Sequence, residues 1–156
     1  MPSMSDEQRA NYPGVAPILS QLLFNRGLVE IRDVEEFCRE DEVFHDPFLF
    51  RDMAAAVDLV ISHIKAGNKI IVYGDYDADG VTAATVLLEN LLILRAQADV
   101  YLPDRVSEGY GLNMEVIKKI AADGGKLIIT VDSGIRNKPE IELAKKLGID
   151  VIVNYT

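Results

Sequence analysis

With one cysteine, Cys38, the chain cannot close a disulfide within itself, and nothing in it relies on an oxidising compartment. Cys38 reads as a small buried or half-buried residue rather than a nucleophile. Histidine is nearly absent. His45 falls in a turn, His63 lies beside an apolar helical stripe, and neither stands at the end of a predicted strand. Basic residues are outnumbered, 16 against 25 acidic ones, for a formal net charge of −9. That excludes indiscriminate binding of polyanions by the surface as a whole, while leaving room for a local phosphate site built from metal ions and a few Arg or Lys. Long apolar runs are missing too. The densest, Val86 to Leu94, is broken by Glu89 and Asn90 and falls well short of the ~20 residues that cross a bilayer. No basic start, apolar core and small-residue cleavage site open the chain. The expectation is a cytoplasmic protein with no membrane partner.

What is present suffices for one domain with a substantial core: 156 residues, 49% of them apolar. Residues 1–14 mix polar side chains with Pro2, Pro13 and Gly14 and read as a mobile arm. Residues 15–67 read as a helical preamble that packs on the core. Pro17 to Arg26 stops at Gly27, Asp33 and Glu36 have capping-box spacing, and Arg51 to Ala66 carries Met53, Val57, Val60, Ile61 and Ile64 along one face before Gly67.

From residue 68 to the last residue, 156, strands and helices alternate. The patterns predict strands over 69–73, 99–103, 126–131 and 149–153, and helices over 80–95, 113–123 and 137–147, the last with a second capping-box spacing at Asn137 and Glu140. Alternation of this kind implies a doubly wound parallel sheet of at least four strands, and runs such as LIITV imply cover on both faces. Ligands of such sheets bind beyond the carboxyl ends of the strands. The distinctive residues fall there: Asp75, Asp77 and Asp79 after the first strand, Arg105 and Tyr110 after the second, Asp132 after the third.

The stretch KIIVYGDYDADGVT, Lys69 to Thr82, concentrates the chemistry. Three carboxylates on one tight turn raise one another's pKa and favour a cation beside them. Carboxylates at alternate residues, with no thiolate or imidazole nearby, suit Mg²⁺ or Mn²⁺. The bland alternative is a solvated acidic turn capping a helix. As a calcium loop the segment places Val86 where a bidentate Glu is required. As a haloacid-dehalogenase-type phosphatase motif, Asp77 to Val81 would follow the strand only after Gly74, Asp75 and Tyr76.

A third reading rests on three motifs in order, VYGDYDADGVTAA, YLPDRVSEGYGL and LIITVDSG, extended backwards through DPFLFRDM. Over roughly residues 17–153 the chain resembles the DHH phosphoesterase superfamily, and PDRVSEGYGL places it with the single-strand-specific 5′-to-3′ DNA exonucleases rather than the pyrophosphatases or oligoribonucleases. The resemblance implies two Mn²⁺ or Mg²⁺ ions, with Asp77, Asp79 and Asp132 as catalytic metal ligands and Asp75 assisting. It also implies phosphodiester hydrolysis of single-stranded DNA in repair and recombination. Arg105 would serve the phosphate or substrate path and Tyr110 would stack on a base; the structural alternatives are an Arg105–Glu108 pair and a loop merely shaped by glycines. After its fourth strand the family continues into an Asp-His-His motif, whereas this sequence reads Val153, Asn154, Tyr155, Thr156. The expectation is therefore an N-terminal portion that is inactive alone, or a remnant that holds metal or phosphate without turnover.

Overall fold

Every position of KIIVY after the lysine is buried, because the strand it forms lies inside a sheet covered on both faces. The computed structural model describes residues 3–39 and 45–154. Met1 and Pro2 of the expected arm, residues 40–44 of the expected preamble, and Tyr155 and Thr156 lie outside the described residues. In chain order the helices are α1 (Asp6–Arg9), α2 (Pro17–Asn25), α3 (Ile31–Phe37), α4 (Met53–Lys65), α5 (Ala78–Ile93), α6 (Met114–Ala122) and α7 (Lys138–Lys146), with a 3₁₀ turn at Pro47–Leu49. The strands are β1 (Lys69–Tyr73), β2 (Gln97–Tyr101), β3 (Gly125–Val131) and β4 (Asp150–Asn154). By contacts the chain divides into two units, Met1–Asp46 and Pro47–Thr156.

In the second unit the four strands are all parallel, in the order β2-β1-β3-β4. Side chains alternate across the sheet, so each central strand feeds two cores. Ile70, Val72, Leu127, Ile129 and Val131 meet α4 and α5 through Val60, Ile64, Ala84 and Leu91. Ile71, Tyr73 and Ile128 meet α6 and α7 through Val116, Ile117, Ile120 and Ala144. β2 and β4 are edge strands, half-buried to exposed, and their sequences are correspondingly more polar. β2 begins and ends two residues before the predicted 99–103, since its five residues pair one for one with β1 from Lys69↔Gln97 to Tyr73↔Tyr101. Strand order reverses between β1 and β3, which puts the crevice of a doubly wound sheet at their carboxyl ends.

Three local expectations change. In α4 the inward face is Leu59, Val60, His63 and Ile64, while Val57 and Ile61 are exposed. His63 is buried: its Nδ1 faces the Asn68 amide nitrogen at 3.1 Å and its Nε2 faces the Asp150 carboxylate at 3.0 Å. An amide nitrogen can only donate, so the ring proton sits on Nε2 and the histidine ties α4 to the start of β4. α7 keeps Pro139 in its first turn, but Asn137 makes no cap because its amide donates to the Leu112 carbonyl at 3.2 Å.

In the first unit, residues 3–14, the described part of the expected mobile arm, contain α1 and two buried side chains. Met4 and Tyr12 are buried with Leu23 and Val34, and the Tyr12 hydroxyl donates to the Leu28 carbonyl. Ser5 and Gln8 form a capping box that starts α1, a pairing hidden in a stretch whose composition reads as irregular. α3 starts at Ile31 behind Glu30, so Asp33 lies inside the first turn instead of capping it. Cys38 is exposed, contrary to the expectation of burial, because the chain leaves α3 at that residue.

Ile117 has no exposed surface and Ile93 is 77% exposed, so the two isoleucines separate packing from composition. Ile117→Ala is expected to lower unfolding free energy by about 2–5 kcal/mol. Ile93→Ala should change it by less than about 0.5 kcal/mol. Denaturant titration of the two variants checks both.

Candidate metal centre

β1 ends at Tyr73, and the chain turns so tightly that a side chain is crowded at Gly74 and excluded by backbone at Gly80. A Cβ on Gly74 would lie 2.7 Å from Leu102 Cδ2, and one on Gly80 would lie 2.5 Å from the Asp75 backbone nitrogen. The first turn of α5 is thus laid directly on the Asp75 backbone. Asp75 is buried, with Oδ1 accepting the Tyr76 N–H at 2.7 Å. Asp77 is the N-cap of α5, its Oδ1 accepting the Gly80 N–H at 2.8 Å. Asp79 sits in the first helical turn, where a carboxylate is favoured by the exposed backbone N–H groups. Both Asp77 and Asp79 are exposed, Asp77 with one oxygen held by the Gly80 N–H. A calcium loop is excluded by this geometry, since the chain is already helical from Ala78 onward.

Across the crevice, β3 ends in an equally constrained turn. Asp132 adopts φ of 53° and Gly134 φ of 97°, the second without room for a Cβ, which would come within 2.8 Å of Thr130 Oγ1. The Thr130 hydroxyl donates to the Ser133 carbonyl at 2.9 Å, closing the turn from inside. Ser133 is fully buried, and among the described residues its hydroxyl is the buried side-chain polar atom left without a partner. Asp132 and Asp79 line one cavity of about 220 Å³ together with Ala83, Val131 and Asn154. The Asp132 carboxyl is held above its usual range, first by desolvation and then by the charges of Asp77, Asp79 and Asp75.

The sequence-predicted residues therefore divide. Asp79 and Asp132 meet at one cavity, and Asp77 and Asp75 act on Asp132 through their charge. Among the described residues, however, no three His, Cys, Asp or Glu side chains are grouped so as to hold an ion in common. Arg105 is not paired with Glu108. Its guanidinium lies over the Tyr76 ring, 5.4 Å from the centroid, a cation–π arrangement. Glu108 instead accepts from the Tyr101 hydroxyl at 2.7 Å; burial first, and then this bond and the charge of Glu108, push the phenol up to about 12. Tyr110 is 56% exposed and donates its hydroxyl to the Asp132 carbonyl at 3.0 Å. Tyr76 and Asn154 were not picked out from the sequence; a position inside the acidic motif was the available signal for the first, and a position at the end of the fourth strand for the second.

Oxygen-only donors and the mutual repulsion of the carboxylates around Asp132, two of them exposed, fit a hard divalent cation. A doubly wound α/β domain with an acidic crevice at its switch point is the class of protein these features define. The model of the DHH family, N-terminal domain, matches residues 69–155, and the chain belongs to that family. Membership decides among the three readings of the acidic motif in favour of the third. The chain is 44% identical over 140 residues to the single-stranded-DNA-specific exonuclease RecJ of Bacillus subtilis, covering 89% of this chain and 18% of that protein. A crystal structure of exonuclease RecJ bound to manganese superimposes with a TM-score of 0.61 at 37% identity, over 65% of this chain and 26% of that one. RecJ from Thermus thermophilus in complex with Mn²⁺ gives 0.67 at 25% identity, over 97% of this chain and 21% of that one. The chain thus spans about a fifth to a quarter of the length of these relatives. Among the described residues no helix is long and apolar enough to cross a membrane.

The raised Asp132 pKa has a signed consequence. A carboxyl that binds its proton more tightly folded than unfolded favours the native state at low pH. That contribution fades as pH rises from the ordinary 3.8 through the raised value. Without divalent ions, Asp132→Asn is expected to raise the thermal midpoint near pH 7 and to flatten the decline above pH 3.8. Calorimetric scans across pH 3 to 8 check this, with the pH range set by ordinary carboxyl titration at about 4.

Proposed function

We propose that this chain supplies the first acidic half of a two-metal phosphodiesterase centre, in a 5′-to-3′ exonuclease acting on single-stranded DNA in repair and recombination. The observation that carries the reading is the meeting of Asp79 and Asp132, from the ends of neighbouring parallel strands, at a cavity where Asp132 already bears the repulsion of three other carboxylates. The relatives named as single-stranded-DNA-specific exonucleases, and the manganese found in the RecJ crystal structures, support the same reading. Mn²⁺ or Mg²⁺ would be held by Asp77, Asp79 and Asp132 with Asp75 behind them, supplying Lewis acidity and a water acidic enough to attack phosphorus.

The chain's own residues prepare that chemistry. Asp77 keeps one oxygen on the Gly80 N–H, which fixes the carboxylate at the helix start and leaves the other oxygen facing outward. Asp132 is delivered by a turn closed through Thr130. Arg105, steadied on Tyr76, is a cation that can meet a phosphate at the mouth of the crevice. Partner DNA would approach this edge of the sheet, since the net charge of −9 offers it little elsewhere.

A donor set in which, among the described residues, no three side chains converge holds an ion weakly. Mn²⁺ is expected to bind weakly, and Asp77→Ala or Asp79→Ala to weaken it further; calorimetric titration showing the same affinity in both variants would move the site elsewhere. Incubated with 5′-phosphorylated single-stranded DNA and Mn²⁺, the chain should release no more mononucleotide than the Asp79→Ala control. Misplacing reacting groups by about 1 Å alone costs on the order of 10²-fold. Release by the wild type only would show that these carboxylates suffice for catalysis.

A further inference from the structure

The loop between β2 and α6 is anchored from several sides, and the anchors converge on one side chain. The Tyr73 hydroxyl, from the middle of the sheet, donates to the Gly111 carbonyl at 3.2 Å. Asn137, from the start of α7, donates to the Leu112 carbonyl at 3.2 Å and packs so closely on Gly111 that a Cβ there would lie 2.5 Å from its Oδ1. Tyr101, from β2, holds the Glu108 carboxylate, which also accepts the Asp104 N–H at 3.1 Å. Between these fixed points, with Gly109 and Gly111 at φ of 75° and 86°, stands Tyr110. Its hydroxyl reaches 22 residues along the chain to the carbonyl of Asp132, the residue that must hold a left-handed backbone at the end of β3.

We propose that Tyr110 is a positioning residue: its hydroxyl, bonded to the Asp132 carbonyl, holds the left-handed turn that presents the Asp132 carboxylate to the acidic cavity. An exposed phenol gains little from a protein partner that water could replace, so a bond made from a loop anchored to β1, β2 and α7 is more than an incidental contact. Both ends are braced independently. The loop holds the donor, and the Thr130–Ser133 bond holds the far side of the turn that carries the acceptor. Without the bond, the Thr130–Ser133 bond alone opposes the shift of Asp132 towards the extended backbone that a non-glycine residue prefers, and the carboxylate is held less firmly. This inference rests on the proposed metal role of Asp132 and gives Tyr110 a part other than stacking on a base.

The test compares wild type, Tyr110→Phe, Tyr110→Leu and Asp79→Ala as full chains. Mn²⁺ affinity is read by calorimetry and the Asp132 carbonyl by its ¹³C resonance in the metal-free state. Loss of one positioning hydrogen bond should weaken Mn²⁺ by about threefold to tenfold in Tyr110→Phe. Tyr110→Leu should lose no more than that, and the Asp132 carbonyl resonance should move upfield in both. A Phe variant with wild-type Mn²⁺ affinity beside a weakened Leu variant assigns the role to the ring and overturns the proposal. So does an unmoved carbonyl resonance in Tyr110→Phe. If Asp79→Ala fails to weaken Mn²⁺ while the resonance moves in Tyr110→Phe, the metal reading falls and the hold of Tyr110 on the turn stands.

Discussion

The contact between Gly80 and the backbone of Asp75 is the constraint on which the acidic crevice depends. Because α5 begins directly on that backbone, the turn after β1 has no slack, and each carboxylate has a fixed place, with Asp75 buried beneath, Asp77 at the cap and Asp79 on the first turn. A side chain at position 80 would lift the helix and with it two of the carboxylates. The close approach also explains how one turn tolerates so much negative charge. Backbone N–H groups of Tyr76 and Gly80 absorb one oxygen each from Asp75 and Asp77, and the helix start favours Asp79.

Much of this was legible in the sequence. Strand-like segments alternating with helical patterns marked all four strands, β2 two residues too late, and Asp75, Asp77, Asp79 and Asp132 follow the ends of β1 and β3, where the crevice of such a sheet lies. What was not legible depended on contacts remote along the chain. The burial of His63 needs Asp150, the missing cap at Asn137 needs Leu112, and the stacking of Arg105 needs Tyr76, none of which any local pattern announces. Residues 3–14 escape a local reading for the same reason: Pro and Gly signal irregular backbone, yet Met4 and Tyr12 are buried against Leu23 and Val34.

The site also shows why a bland and a functional reading of one residue need not exclude each other. Asp77 does cap a helix, as any Asp at that position is entitled to do, and the cap occupies one of its oxygens, which leaves the second for the ion proposed above. The raised pKa of Asp132 has the same double character: a cost to the folded chain without a cation, and a measure of what a cation would relieve.

The tie between His63 and Asp150 spans 87 residues, from α4 to the start of β4. On a ribosome this imposes an order. β1 can pair with β2 as soon as both have emerged and with β3 only later, and α4 cannot take up its buried histidine until β4 follows. Until then the imidazole faces water on a helix whose apolar side lacks part of its cover, a state in which nascent chains are open to chaperones and proteases. The inner face of α4 is thus completed backwards, by a strand made long after the helix.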